Sequence, residues 1–363
     1  MRSSGLFSLK LPVVVRFRVE PLGSVSFKRK ATVLLALIIV SFVLLLLPFI
    51  YAGVDPFPVI GRYLSLWVSD TGWASRSSFE IARYTTAMLL TGLAGVIAFR
   101  SKVWNIGLEG YMILGAIGTA AAAYAGLHWA LQVVASMLFG VLWALPVALL
   151  LVTGVSEIVS SMMMYYVSLY MLQYVVYKVW PSRYGLFPKT PEWGVSQPIV
   201  AGFPLMLVVG ILLCFVVNYL YHRTMFGVVA RLVGSNEKAA RTAGYSPRLV
   251  RVVVLLLSSG LAGLAGFHVA SLRGYLSMGY ASLGYGFAGI TVAFIAGLNP
   301  LAVPISALFV ALLYHFGSFA SDVIPGGYAA YFYYVQGVLL LVVLAARTIP
   351  SYRIIVRVEK RHG

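Results

Sequence analysis

The sequence holds one cysteine, Cys214, in the middle of an apolar run, so no internal disulfide can form and its role is packing. Charge is scarce as well: 10% of residues are Asp, Glu, Lys or Arg, against about 25% in soluble domains. Acids are the scarcest, 10 against 27 Lys and Arg, which leaves a net charge of +17. Such a balance suits a nucleic-acid partner, but here the basic residues lie in loops and tails between apolar runs. That placement fits membrane orientation and anionic-lipid contact, and no nucleic-acid partner is expected. Chemistry-bearing motifs are missing too. There is no GxxxxGK[ST] phosphate loop, no HExxH, no cysteine pair and no GxSxG. No catalytic residue, no metal site and no cofactor of the chain's own is expected. Any ATP-driven step must use another chain.

What is present is apolar: 61% of residues are hydrophobic, in runs that repeatedly reach the length of a ~30 Å hydrocarbon core. The expected fold is an all-α polytopic membrane protein in the cell membrane, with about ten transmembrane helices. The spans read as Ala31–Ile50, Ile81–Phe99, Ile106–Ala125, Ala130–Val152, Ile158–Tyr177, Phe203–Tyr221, Val252–Ala270, Leu283–Gly297, Leu301–Phe319 and Ala330–Ala346. Eight crossings result if 283–319 is re-entrant. The first run is too long for a signal-peptide core and reads as a retained anchor. Residues 51–82 read as a long mixed loop, with turn chemistry at Asp55-Pro56 and Asp70-Thr71-Gly72.

Charge orients this chain. Both tails, the 100–104 turn and a polar island from His222 to Arg251 fall on one side, so both termini and the island are expected in the cytoplasm. Residues 1–30 form a basic N-terminal arm, 31–346 the transmembrane domain with its loop at 222–251, and 347–363 a basic C-terminal tail. Within the arm, Leu9, Leu11, Val13, Val15, Phe17 and Val19 alternate with a period of two. The arm is read as disordered or lying on the membrane surface, with a short strand as the alternative.

The island spells a short helix over Asn236 to Ala243. Ser235 or Asn236 caps its start, Glu237 sits at the positive end of the dipole, Arg241 lies in the last turn and Gly244 supplies a left-handed stop. Two turns are not stable alone in water. The helix must dock, either on another protein through the small face of Ala239, Ala240 and Ala243 or as an ordinary surface helix of its own loop.

Polar groups inside the runs are few. Glu109, in NIGLEG, and Glu157, in GVSEIVSSMMMYY, lie within about two turns of a span end. Each either snorkels or caps a helix N-terminus, or faces a central pathway. His268 and Asp322 read as surface groups near the outer boundary. Gly260, Gly263, Gly266, Gly284, Gly286 and Gly289 mark close helix contacts, because small residues carry packing where no hydrophobic drive exists.

Five stretches in order resemble the permease subunits of ABC importers in the simple-sugar and nucleoside branch, especially nucleoside-type permeases. These are NIGLEG at Asn105–Gly110, Glu157-Ile158-Val159 followed by Met162-Met163, GSNEKAARTAG at Gly234–Gly244, SGLAGLAG at Ser259–Gly266 and GYGFAGITVAF at Gly284–Phe294. The resemblance covers roughly residues 80–345. It implies that Gly234, Ser235, Asn236, Glu237, Ala239, Ala240, Arg241, Ala243 and Gly244 form the coupling helix that engages a cytoplasmic ABC ATPase, which carries ATP and magnesium. It further implies a second permease subunit, identical or related, and an external substrate-binding protein. Asn105, Glu109, Glu157, Tyr165, Tyr166 and Phe287 become candidate pathway residues. Departures from the family pattern at Trp104, Tyr111, Ser156, Tyr165-Tyr166 and Ala288 bear on the solute. The expected activity is import of a nucleoside, a purine first, with a simple sugar as the alternative. An ATPase-independent carrier would show inverted repeats and broken helices around a site, and no internal repeat is evident.

Overall fold

The computed structural model describes residues 13–21, 27–182, 187–320, 327–349 and 352–360. Two compact units result, one of Met1–Leu45 with Val338–Gly363 and one of Leu46–Gly337. In the first, strands β1 (Val13–Pro21) and β4 (Tyr352–Lys360) pair antiparallel, from Val13 opposite Lys360 to Pro21 opposite Tyr352. The alternation in the N-terminal arm is thus a paired strand, in place of the disordered or surface arm preferred from sequence. Its partner is the far end of the chain, where no local signal points. Leu9 and Leu11 lie outside the described residues, as does Asp322.

Helices make up most of the rest: α1 (Phe27–Tyr51), α2 (Pro56–Ser69), α3 (Thr71–Arg100), α4 (Leu108–Tyr124), α5 (Trp129–Thr153) and α6 (Glu157–Tyr174). A two-strand hairpin, β2 (Ile199–Val200) with β3 (Phe203–Pro204), leads into α7 (Leu205–Arg223). Then come α8 (Met225–Ser235), α9 (Glu237–Thr242), α10 (Pro247–Arg273), α11 (Tyr285–Ile295), α12 (Val303–Ala320) and α13 (Gly327–Thr348). Residues 51–82 are not a loop. Asp55 accepts the Phe57 N–H and starts α2, and Asp70 accepts the Trp73 N–H at 2.8 Å and starts α3. The two turn signals are helix N-caps, because Asp serves both purposes with the same side-chain acceptor.

Among the described residues, six helices are long and apolar enough to cross a membrane, or seven if the bent α1–α2 pair is one broken span. They are α3, α5, α7, α10, the Met278–Ile295 segment ending in α11 and the Pro300–Ala320 segment ending in α12. The expected count of ten is not reached by this measure: α4 is only 17 residues long, α6 is rich in Ser and Tyr, and α13 offers only the shorter apolar stretch Tyr333–Ala346 among the described residues.

Helix α10 lies at the centre, packed against α3, α4 and α5, while α11 and α12 pack on α3. Its Ser258–Ser271 stretch is buried all round. Backbones meet there without side chains between them: a Cβ on Gly266 would stand 2.1 Å from the Met112 carbonyl oxygen. One on Gly115 would stand 2.2 Å from the Gly263 oxygen. Such approach distances are what small residues give in lipid, where van der Waals contact and not solvent exclusion holds helices together.

Candidate functional site

Two groups of residues carry the functional argument, and the loop between α3 and α4 lies between them. The first is the polar island, which holds more structure than a loop. After α7 the chain turns so sharply into α8 that a Cβ on Gly227 would stand 2.4 Å from the Tyr221 Cα. Tyr221 itself is tied to α3, donating to the Ile97 carbonyl at 2.6 Å and lying 2.8 Å from the Ser101 hydroxyl. The end of α8 abuts the same place, with a Cβ on Gly234 falling 2.9 Å from the Ser101 carbonyl carbon.

Helix α9 follows at once. Asn236 is its N-cap, its Oδ1 accepting the Ala239 N–H at 3.1 Å. At the other end Gly244 has φ +84°, its N–H reaches the Arg241 carbonyl and the Tyr245 N–H reaches the Ala240 carbonyl. These two bonds make a Schellman stop, which a left-handed glycine permits. The small face does not point wholly outward. Ala240 is fully buried against Val229 and Val233 of α8, and Glu237 forms an ion pair with Arg251 of α10. Lys238, Arg241, Thr242 and Ala243 are exposed, and Ala239 is half-buried.

The second group surrounds Glu109. Its side chain is 1% exposed, and both carboxylate oxygens are occupied. Oε1 accepts the Gly284 N–H at 3.0 Å and Oε2 the Gly286 N–H at 2.5 Å. Those donors are the start of α11, so the acid caps a helix 175 residues further along the chain and sits at its positive dipole end. It does not reach open space. A Cβ on Gly286 would stand 2.2 Å from the Glu109 nitrogen, and one on Gly110 would stand 2.9 Å from the Tyr165 Cα. Helices α4, α6 and α11 are therefore locked around one carboxylate. Beside it the Tyr165 ring meets Phe287 edge-on at 5.0 Å and Tyr166 at 5.1 Å. Tyr166 is exposed, and Tyr165 and Phe287 are half-buried.

Asn105 lies in the α3–α4 loop, and Glu157, the first residue of α6, holds that loop from outside it. The Asn105 side chain is buried and donates to the Ser258 hydroxyl at 3.2 Å, which in turn donates to the Ala94 carbonyl. Glu157 accepts the Trp104 N–H at 3.3 Å, and the Ser161 hydroxyl accepts the Ile106 N–H at 3.2 Å. Both side chains thus anchor backbone, one on α10 and one on α6.

Sequence reasoning missed three groups. Thr91 donates to the Tyr285 carbonyl at 2.8 Å, adding a second tie at the start of α11. Ser258 links α3, α10 and the α3–α4 loop as described. His268, expected at the surface, is fully buried, its ring nitrogens 3.2 Å from Gln197 Oε1 and 3.0 Å from the Arg83 carbonyl. The signal was the run of Ser, Gly and Ala before it: a helix small on every side is an interior helix, and any polar group on it needs an interior partner.

A family model described as the branched-chain amino acid transport system / permease component matches residues 77–344, and the chain belongs to that family. It is an ABC importer permease of the nucleoside and simple-sugar kind, a multi-pass protein of the cell membrane whose ATP hydrolysis belongs to a separate subunit. A guanosine ABC transporter permease of Bacillus subtilis is 28% identical over 274 residues, covering 70% of this chain and 77% of that protein. A glucose ABC transporter permease of Haloferax volcanii is 27% identical, covering 78% of this chain and 80% of that one. A nucleoside ABC transporter permease of Lactococcus lactis is 24% identical, covering 78% and 83%.

Proposed function

We propose that this chain forms half of the translocation pathway of an ATP-driven importer for a nucleoside, purine first, working by alternating access. The observation that carries the reading is α9: a six-residue helix, capped at both ends, held to its own chain by Ala240 and Glu237 and exposed along Lys238 and Thr242. The basic loops support a cytoplasmic position for that side, and there α9 docks on the ATPase. The complex comprises a second permease, identical or related, two ATPase subunits and an external binding protein. Because α8 abuts Ser101, movement of α9 is passed to the α3–α4 loop and so to Asn105 and Glu109.

The relatives' names speak for two cargoes, since guanosine, nucleoside and glucose permeases all match. The half-exposed rings of Tyr165, Tyr166 and Phe287 favour the nucleoside, because an aromatic face accepts any base. Uptake of labelled guanosine, ribose and glucose into vesicles carrying the full complex decides between them. Guanosine uptake should be displaced by unlabelled adenosine and not by ribose or glucose. Sugar uptake without guanosine uptake moves the chain to the sugar reading.

A further inference from the structure

We infer that the outer half of α6 carries a second station for the solute, where Tyr170 and Tyr174 stack on a nucleoside base and the Gln173 amide reads its hydrogen-bonding edge. This rests on the nucleoside reading above and adds residues to that pathway. The exposed faces of the helices differ in kind. From Ala130 to Val152 on α5, and from Leu205 to Val217 on α7, every exposed residue is apolar. From Tyr166 to Tyr177 on α6 the exposed residues are Tyr166, Val167, Tyr170, Gln173, Tyr174 and Tyr177, of which Val167 alone lacks a polar group. The Tyr170, Gln173, Tyr174 and Tyr177 side chains have no hydrogen-bond partner among the described residues.

Hydrocarbon is a poor neighbour for such groups, because nothing in it replaces the water they give up. An aromatic belt at the membrane boundary accounts for Tyr177 beside Lys178. It does not account for Gln173, or for Tyr166, which lies about 18 Å deeper along the helix, more than half of a ~30 Å core. An open amide and open hydroxyls in a row need water and a polar solute opposite them.

Two features point to the solute of this pathway. The face continues the group of Tyr165, Tyr166 and Phe287: Tyr166, Tyr170 and Tyr174 follow at intervals of four on one side of α6, with Gln173 between the last two. The second is the helix geometry. At Val175–Val179 the chain passes into a π-helical turn, a rare form found mostly where a helix serves a site. Tyr177 and Lys178 on that turn join Tyr170, Gln173 and Tyr174 around one groove of about 470 Å³, within the size range of small-molecule sites. Tyrosine faces stack on any base, and an amide sets a donor beside an acceptor, as the edge of a purine does. Gln173 stands about 12 Å along the helix from Tyr165, so the solute passes from one aromatic station to the next.

The test uses the full complex in lipid nanodiscs without ATP, where a water-soluble thiol reagent reaches both faces and orientation does not enter. Single cysteines are placed by Tyr170→Cys, Gln173→Cys and, on the apolar face of α5, Leu142→Cys, each in a Cys214→Ser background. The two α6 cysteines should react about ten-fold faster than the one on α5, and guanosine near ten times its Kd should slow them about ten-fold while ribose does not. Gln173→Leu should raise the KM for guanosine uptake about ten-fold with kcat unchanged, the loss of one amide-to-base pair. Tyr174→Phe, which keeps the ring, should leave KM as it is. Slow labelling of both α6 cysteines, matching Leu142→Cys, means that lipid or the second permease covers the face and overturns the inference. Guanosine import by the Cys214→Ser parent with no protection of either cysteine overturns this station and leaves the nucleoside reading standing. Protection by ribose or glucose in place of guanosine overturns both.

Discussion

Glu109→Ala should unfold the complex's permease at a markedly lower temperature and abolish transport. The substitution leaves the Gly284 and Gly286 N–H groups buried with no acceptor. Each unsatisfied buried donor costs about 1–3 kcal/mol, and the loss of charge at the start of α11 adds to it. A total near 2–5 kcal/mol is a large part of a typical folding free energy. Glu109→Gln retains one good acceptor and should lose about 1–3 kcal/mol, with partial transport. Thermal unfolding of the purified variants, read beside transport, checks this. A role in touching solute alone predicts the opposite pattern, with transport lost and unfolding temperature unchanged in both variants.

Lys238→Glu and Thr242→Trp should insert normally and fail to couple. Both positions are exposed on α9 away from Ala240. Overfilling a docking groove costs about 1–3 kcal/mol, which is roughly a 5- to 150-fold loss of affinity for the ATPase. Pull-down of the ATPase and solute-stimulated ATP hydrolysis measure it. Surface substitutions with no partner shift stability by less than about 0.5 kcal/mol, so full coupling in both variants would make α9 a mere loop helix. Ala240→Trp is a different experiment. Its side chain would enter the space held by Val229 and Val233 and damage the permease itself.

The ends of α9 are legible in the sequence because local chemistry decides them. Asn236 and Gly244 stand at the two ends because only a side-chain acceptor and a left-handed stop suit those positions. Which face turns inward depended on α8, and the run MFGVVARLVGS was read as part of a polar island. Its Val229 and Val233, four residues apart, were the helical signal that went unused. Glu109 was singled out correctly as unusual, but its partners are glycine N–H groups far along the chain, which no residue type announces. The same holds for β1, whose alternation is visible while β4, its partner, begins 339 residues after β1 begins. Asp55 and Asp70 were recognised as punctuation and given the wrong meaning, since turns and N-caps use one geometry. Interior position was hardest to read. A lipid-facing and a protein-facing apolar helix share a composition, so His268 could be placed only by noticing how small its neighbours are.

This chain should move solute only when a partner hydrolyses ATP. The direct measurement is guanosine flux in proteoliposomes holding the permease, with its ATPase and binding protein added or withheld. Accumulation above the external concentration should require all components together with ATP on the side of α9, and should vanish when the ATPase is omitted. Guanosine equilibrating through the permease alone, at the same rate with and without ATP, would contradict the account and make the chain a channel or an ATPase-independent carrier.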